Sequence, residues 1–209
     1  MDSKAFFKLS YGLYVISSRL DGKDCGCVVN TLAQVTGSPA KMTVAVKKDN
    51  VTEQAIAQSR SFAAVVLTQE TDSSVVGTFG FHTSKELNKF DGFAFSRDEQ
   101  GNAYLTQQVA ARYSCHVVEQ IDLGSHVLFV GEVTEAEVLG SQEVMTYAYY
   151  HQVKKGLTPK NAPSYQAQQS TNGSYRCSVC GYMLESATLP ADYICPICGA
   201  TSDKFVKQS

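Results

Sequence analysis

Apolar and polar residues alternate in short runs along the first three quarters of the chain, and turn signals separate the runs. Residues 9–17 alternate in this way, Asp21 and Gly22 mark a tight turn, and the run from Cys25 begins a return strand. A two-residue period places every second side chain on the same face of a strand. The pattern therefore predicts a β-hairpin, with one face formed by Leu9, Tyr11, Leu13 and Val15.

Further strand-like runs follow the hairpin. They are rich in β-branched and aromatic residues and cover 42–47, 61–67, 113–118 and 126–133. The turn residues Asp122, Leu123 and Gly124 join the last two runs. The first 155 residues are therefore predicted to be mainly β.

Helix-start signals are sparse. Asn50 with Glu53 predicts a capped helix that carries Val51, Ala55 and Ile56 on one face, and Thr83 with Glu86 predicts another helix. Many strands with short helices in the connections predict a closed or partly closed barrel.

The segment from Gly77 to Gly80 superficially matches a glycine-rich phosphate loop. It lacks the full glycine series of a dinucleotide or P-loop motif and a suitable preceding strand. Its glycines are instead predicted to mark a turn.

Composition excludes several classes of protein. The chain has 209 residues, 44% of them hydrophobic and 18% charged, and a net charge of −2. These values are ordinary for a globular protein and provide no basic surface for nucleic acid or an anionic membrane. The sequence shows no signal peptide and no apolar run long enough to span a membrane, so a cytoplasmic location is expected.

A change in composition divides the chain into two domains. Residues 154–174 contain prolines, glutamines and few apolar side chains, as a flexible tether does. The predicted organisation is a domain over 1–155, a linker over 156–173 and a small module over 174–209. The module is shorter than the roughly 40 residues that usually fold unaided, so metal binding is expected to stabilise it.

Four cysteines of this module form two C-x-x-C pairs, each followed by a glycine: Cys177, Cys180, Cys195 and Cys198. Two such pairs placed face to face supply the tetrahedral thiolate set that zinc or a single iron prefers. A glycine after each pair tolerates a left-handed turn and allows backbone N–H groups to approach the sulfurs. Disulfides or buried reduced thiols are the competing interpretations, and the spacing alone does not separate iron from zinc.

The remaining cysteines are Cys25, Cys27 and Cys115. They are predicted to be reduced thiols. Cys25 and Cys27 form a C-x-C pair on one face of a strand, where packing as small buried side chains is favoured over a redox pair.

Aromatic residues frame the four cysteines: Tyr175, Tyr182, Tyr193 and Phe205. With the cysteines they make the module resemble rubredoxin. The resemblance implies a single iron held by four thiolates, beside an aromatic cluster, that carries one electron at a time.

Several segments of the first domain resemble, in order, the flavin-reductase-like, FMN-binding split-barrel family. They are Tyr11 to Ile16, Cys27 to Thr36 before Pro39, Val44 to Thr52, Phe79 to Ser84, and Lys89 with Phe90. The resemblance covers residues 5–165 and implies an FMN-binding split β-barrel with short helices.

The resemblance also implies which residues hold the flavin. Small and amide residues that would bond and pack against the isoalloxazine ring are Asn30, Thr31, Ala33, Gln34 and Thr36. Cation and donors for the phosphate come from Lys47, Asn50 and Thr52 at the start of the predicted helix. Further contacts to the flavin or the pyridine nucleotide are His82, Ser84 and Lys89.

The two domains together resemble the high-molecular-weight rubredoxins. The resemblance implies an electron-transfer oxidoreductase that passes electrons from NADH or NADPH through FMN to an Fe(Cys)4 centre. The implied acceptor is a flavodiiron (A-type) flavoprotein, and the implied assembly is a homodimer. No side chain is expected to perform acid–base or nucleophilic catalysis.

Two other interpretations stay open. One is a protein that holds flavin or haem without turnover and carries a structural zinc ribbon. The other is an NAD(P)H:flavin reductase that releases reduced FMN.

Overall fold

The structure is a computed structural model that describes residues 2–154, 156 and 174–208. The strands of the N-terminal part are β1 (Tyr14–Leu20), β2 (Lys23–Val29), β3 (Ala33–Gly37), β4 (Ala40–Lys47), β5 (Ser61–Leu67), β6 (Phe95–Arg97), β7 (Ala103–Leu105), β8 (Val109–Asp122) and β9 (His126–Val138). The α-helices are α1 (Val51–Ser59), α2 (Ser73–Phe81) and α3 (Tyr147–Gln152), and a short 3-10 helix covers Ser3–Lys8. Among the described residues, no helix has the length and apolar character needed to cross a membrane.

A seven-stranded antiparallel sheet forms the N-terminal domain, in the order β2-β1-β5-β8-β9-β4-β3. The predicted hairpin is present, because Asp21 and Gly22 adopt positive φ angles of 48° and 79° between β1 and β2. Successive positive φ angles match the right-handed twist of the flanking strands. The other predicted strands are also present, and the last two, β8 and β9, are longer than expected.

The sheet closes on itself. Its two end strands, β2 and β3, are neighbours in the chain and are joined only by residues 30–32. That connection reaches at most roughly 15 Å, whereas the edges of a flat seven-stranded sheet would be roughly 29 Å apart. The sheet must therefore curl into a barrel whose seam lies between β2 and β3, which confirms the predicted mainly β barrel.

Both faces of the sheet are buried in its central strands. On β1, Val15 packs in a cluster with Phe79 and Phe90, whereas Ile16 packs in a second cluster with Phe129. The predicted strand over residues 9–17 is therefore wrong in its start, since β1 begins at Tyr14 and Leu9 is 56% exposed. A strand that is buried on both faces does not show a clean two-residue period.

The helix predictions had mixed outcomes. Asn50 caps α1 as predicted, because its side chain accepts a hydrogen bond from Thr52 N at 2.9 Å. The helix predicted to open at Thr83 is wrong, and a turn occupies that segment. The stronger start signal is Asp72, which accepts a hydrogen bond from Ser74 N at 2.8 Å and caps α2. The turn predicted at Gly77 and Gly80 is also wrong, because both glycines lie inside α2.

The C-terminal module contains a three-stranded sheet in the order β11-β10-β12. Its strands are β10 (Tyr175–Cys177), β11 (Met183–Leu184) and β12 (Phe205–Lys207), and a short 3-10 helix covers Ser202–Lys204. Cys177 pairs with Phe205 across β10 and β12, so the sheet places the first cysteine beside an aromatic side chain. The predicted linker, 156–173, lies outside the described residues apart from Gly156.

Candidate metal centre and flavin site

The four module cysteines converge on one point. All four sulfurs lie within 4.8 Å of one another, and two of the separations are 3.7 Å, between Cys177 and Cys198, and 3.5 Å, between Cys180 and Cys195. A tetrahedral metal with bonds of about 2.3 Å requires sulfurs about 3.8 Å apart. The separations are too long for a disulfide, whose sulfurs are about 2.05 Å apart. The geometry is that of a four-thiolate metal site and fits iron and zinc alike.

The two C-x-x-C pairs form matching loops, which we call the first knuckle (177–182) and the second knuckle (195–200). In the first, Gly181 N donates to Cys177 O at 2.8 Å, and in the second, Gly199 N donates to Cys195 O at 2.9 Å. Both glycines have positive φ, 86° and 70°. This conformation is strained for residues with a Cβ, so each glycine allows the chain to turn back toward the sulfurs.

Backbone N–H groups stabilise negative charge on the sulfurs. The backbone N–H of Tyr182 favours the Cys180 thiolate, and the N–H of Ala200 favours the Cys198 thiolate at the matching position of the second knuckle, although the Cys195 side chain and burial raise the pKa of both cysteines. The pKa of Cys195 is lowered by hydrogen bonds from the Cys180 and Cys198 thiols and by further bonds from backbone N–H groups. A metal takes up thiolates, so these donors prepare the site for a cation.

An aromatic cluster shields the cysteines, as predicted. Tyr193 and Phe205 meet edge to face with ring centroids 5.3 Å apart, and Tyr175 and Tyr182 pack against the same cluster. Phe81, from the end of α2 in the N-terminal domain, also packs there. No sequence pattern indicated this contribution.

The predicted flavin residues fall into three groups around β2. The first group begins where β2 passes to β3. Thr31 lies there and binds β4, since its hydroxyl donates to Ala45 O at 2.9 Å and accepts from Ala45 N at 3.2 Å. Asn30 precedes it in the same connection.

Strand β3 carries the rest of this first group. All five of its residues are exposed, including Ala33 and Gln34. Thr36 pairs with Lys41, six residues along β4 from Lys47, so it lies roughly 20 Å from that lysine. Gln34 donates to Thr36 O at 3.1 Å, and the Thr36 hydroxyl donates to Pro39 O at 2.6 Å.

The second group surrounds the start of α1. The Lys47 ammonium pairs with the Asp49 carboxylate, and Asn50 is used as the helix cap. Thr52 is fully buried, and among the described residues its hydroxyl has no oxygen or nitrogen partner and only the weakly bonding Cys27 thiol near it. Burial raises the pKa of the nearby Cys27 thiol, whereas Lys89 and the side chains of Thr52 and Asn50 lower it.

The third group holds α2 against β2. Lys89 is only 2% exposed, and its ammonium donates to Gly26 O at 2.8 Å and to Phe79 O at 3.1 Å. The Ser84 hydroxyl accepts a hydrogen bond from Gly26 N at 3.4 Å. Burial lowers the pKa of Lys89. Ser84 and Lys89 thus bond the backbone of β2 and α2 in this structure.

His82 contacts the metal module. Its Nε2 lies 3.1 Å from the carbonyl oxygen of Cys198, a module cysteine. Close by, the second knuckle packs on Gly77 so tightly that a Cβ there would lie 2.2 Å from Ile197 O. Neither His82 nor Gly77 was predicted to contact the module. The one available signal was a pair of glycines inside an otherwise apolar helix.

Two family models match the chain. The flavin reductase-like domain matches residues 6–158, and the rubrerythrin, rubredoxin-like domain matches residues 175–206. The two domain types imply a flavin in the first and iron in the second, as the sequence predicted.

Two curated proteins match most of the chain. High molecular weight rubredoxin of Moorella thermoacetica is 37% identical, over 98% of this chain and 99% of its own length. A ferric-chelate reductase (NAD(P)H) of Archaeoglobus fulgidus is 44% identical, over 79% of this chain and 98% of its own length.

Solved structures share the N-terminal fold. The NADH:FAD oxidoreductase of Streptomyces globisporus superposes with a TM-score of 0.61 at 25% identity, over 68% of this chain and 84% of its own length. A flavin reductase domain protein from Arthrobacter superposes with a TM-score of 0.62 at 17% identity, over 69% of this chain and 87% of its own. With the matches above, they confirm the predicted fold class and resemblance. The chain therefore belongs to the flavin reductase-like family, joins that domain to a rubredoxin-like one, and is similar to high molecular weight rubredoxin over nearly its whole length.

Proposed function

We propose that the protein passes electrons from NAD(P)H through FMN to an iron ion held by its four module cysteines, and from there to an acceptor protein. The convergence of four sulfurs within 4.8 Å, in a chain whose larger domain is flavin reductase-like, carries this proposal. A flavin accepts a hydride as two electrons and releases electrons singly, whereas a four-thiolate iron changes by one.

The chain would contribute the thiolates, their charge stabilisation and the exclusion of water. Cys177, Cys180, Cys195 and Cys198 are each 7% exposed or less. The N–H groups of Tyr182 and Ala200 favour the thiolate form of Cys180 and Cys198. Burial together with N–H donors determines how easily a thiolate-bound metal changes charge. These residues therefore set the redox potential of the centre without any proton transfer.

The flavin would lie along the seam of the barrel. The exposed strand β3 ends the sheet, so it offers backbone donors and acceptors beside the small and amide side chains of Ala33 and Gln34. Asn30 and Thr31 extend this edge toward Lys47 and Asn50, where a phosphate would bind. The buried Thr52 hydroxyl beside this end has no oxygen or nitrogen partner among the described residues. These groups fit a polar-edged ring with a phosphate chain.

Several finer assignments belong to the same proposal. We assign FMN as the flavin, a flavodiiron-type flavoprotein as the acceptor, and a domain organisation of 1–155, 156–173 and 174–209. An edge strand that is exposed along its whole length supports the homodimer that the family resemblance implies. Buried Cys25, Cys27 and Cys115, none of them in a disulfide, support a reducing, cytoplasmic location.

Anaerobic stopped-flow mixing with NADH, and separately with NADPH, tests the order of transfer. The flavin band at ~450 nm is expected to bleach first, followed by the iron absorption. Iron that bleaches ahead of the flavin would contradict the proposed order. Elemental analysis that finds one zinc and no iron per chain would instead favour the structural zinc ribbon.

Reduction of dissolved ferric chelates is a second candidate activity. It is favoured by the 44% identity to the Archaeoglobus ferric-chelate reductase, a relative that this chain matches over 98% of that relative's length. A steady-state assay with ferric citrate tests it. Chelate reduction that persists after all four module cysteines are replaced by serine would assign this activity to the flavin domain alone.

A further inference from the structure

The second knuckle is seated on the middle of α2. A Cβ built on Gly77 would lie 2.2 Å from Ile197 O and 3.0 Å from the Cys198 Cα, closer than such atoms approach. Glycine in a helix interior is destabilising relative to alanine, so its place at the centre of a nine-residue helix requires an explanation. Close packing of another backbone provides that explanation.

The two knuckles provide an internal comparison. They share two backbone hydrogen bonds, but Val179 in the first is 36% exposed, whereas Ile197 at the equivalent position of the second is 6% exposed. Phe81, one helical turn beyond Gly77 and so on the same face of α2, packs against the module cluster. The burial of the second knuckle therefore comes from its contact with the N-terminal domain.

A hydrogen bond fixes the register of this contact. His82 Nε2 lies 3.1 Å from Cys198 O, and because a carbonyl only accepts, the imidazole donates from Nε2. The surface beneath is held firmly, since the Lys89 ammonium joins Phe79 O of α2 to Gly26 O of β2. A rigid helix thus receives one defined loop of the module.

We propose that Gly77 and His82 are positioning residues that seat the second knuckle on α2, so that electrons from the N-terminal domain enter the metal centre on its Cys198 side. The seat is a property of the chain and adds no chemical step. Only the direction of electron entry rests on the proposed function.

Two alanine variants on the same helix separate the seat from general effects on α2. Gly77→Ala introduces the clash, whereas a Cβ on Gly80 would meet only Val28 and Val76 side-chain atoms at 3.7–3.8 Å, an ordinary contact. Both changes raise helix propensity equally, so Gly80→Ala is the matched control.

The readout is the rate at which diethylpyrocarbonate modifies His82 in the iron-loaded full chain without NADH, resolved by peptide mass spectrometry. Because overpacking disfavours the seated state, Gly77→Ala is expected to raise that rate about fivefold or more. Gly80→Ala and the other histidines, His116, His126 and His151, are expected to keep wild-type rates. Equal His82 rates in both variants would overturn the proposal.

Stopped-flow kinetics then test the entry side. In Gly77→Ala the flavin is expected to be reduced by NADH at the wild-type rate, while the iron is reduced at least about fivefold more slowly. Unchanged iron reduction in a variant whose His82 has become reactive would refute the entry side. If the wild-type iron is never reduced by NADH, the proposed function fails, and the His82 labelling still decides the seat.

A second pair of variants tests the hydrogen bond. His82→Gln retains an N–H donor and His82→Leu does not. Hydrogen exchange of residues 195–200 is expected to accelerate in the leucine variant and to stay near the wild-type rate in the glutamine variant. Equal exchange in the two variants would show that the His82 hydrogen bond does not position the second knuckle. The role of Gly77 would then rest on the alanine variants.

Discussion

The hydroxyl of Thr52 offers a direct test of the physical argument. Thr52 is fully buried at the start of α1, and among the described residues its Oγ1 has no oxygen or nitrogen partner and only the Cys27 thiol near it. A thiol is a weak hydrogen-bonding group, so this hydroxyl is close to unsatisfied, and an unsatisfied buried hydroxyl costs about 1–3 kcal/mol. Valine has nearly the same shape and similar helix propensity. We therefore expect Thr52→Val to raise the free energy of unfolding of the flavin-free protein by about 1 kcal/mol.

Thr68 provides the matched control. It is equally buried, but its hydroxyl donates to Gln108 O at 2.9 Å and lies 3.4 Å from the Thr71 hydroxyl. Thr68→Val removes a satisfied donor and is expected to destabilise the protein by about 1–2 kcal/mol. The same substitution is thus expected to raise the free energy of unfolding at position 52 and to lower it at position 68.

Urea unfolding followed by far-ultraviolet circular dichroism measures both variants. The urea concentration at the unfolding midpoint is expected to rise for Thr52→Val and fall for Thr68→Val, with an unchanged dependence of the unfolding free energy on urea. In thermal unfolding, a change of 1 kcal/mol corresponds to about 2–4 °C in Tm. A flavin-free Thr52→Val variant less stable than wild type would refute the reasoning, because the hydroxyl would then have a partner. Destabilisation confined to the flavin-loaded form would identify that partner as the cofactor.

Three further changes have defined outcomes. Removing the metal with a chelator is expected to unfold residues 174–208 and leave the barrel intact, which hydrogen exchange measures segment by segment; protection that survives in the module would contradict a metal-stabilised fold. Gly131→Ala is expected to destabilise by about 1–3 kcal/mol, because its Cβ would lie 2.8 Å from Cys115 Cβ and from a Phe62 ring carbon, whereas Gly37→Ala meets nothing within 4 Å and is the control in the same urea titration. Lys89→Met is expected to destabilise by about 1–3 kcal/mol at neutral pH, because Gly26 O and Phe79 O lose their donor. Burial lowers the pKa of Lys89 in the folded protein, so between that lowered pKa and 10.5 the unfolded chain binds more protons than the folded one. The free energy of unfolding of the wild type should therefore rise with pH over this range, and that of the methionine variant should lack this rise.

Local signals predicted most of the regular structure. The turn at Asp21 and Gly22, the cap at Asn50 and the strand over 61–67 are each specified by a few neighbouring residues, and all three are present. The convergence of the four cysteines was also predictable, since each C-x-x-C spacing forms its loop locally and only one face-to-face arrangement satisfies a shared metal.

Contacts between distant segments were not predictable in the same way. The glycines of α2 resemble turn residues because the backbone that needs Gly77 lies 120 residues further along the chain, at Ile197. The resemblance makes Lys89 a predicted contact of the flavin or the pyridine nucleotide, and no local pattern indicated that its ammonium also bonds two backbone carbonyls. In both cases tertiary packing determines a role that local pattern cannot encode.

The unequal exposure of the two knuckles has a consequence for turnover. With the second knuckle on α2 and Val179 of the first facing solvent, an outside protein can approach the centre while the internal contact is intact. Electrons would then enter and leave the metal ion on opposite sides, and the module would not have to move between two partners. The turnover rate would then depend on how long the acceptor protein stays bound. It would not fall as solvent viscosity rises, whereas the turnover of a module that swings on a hinge would.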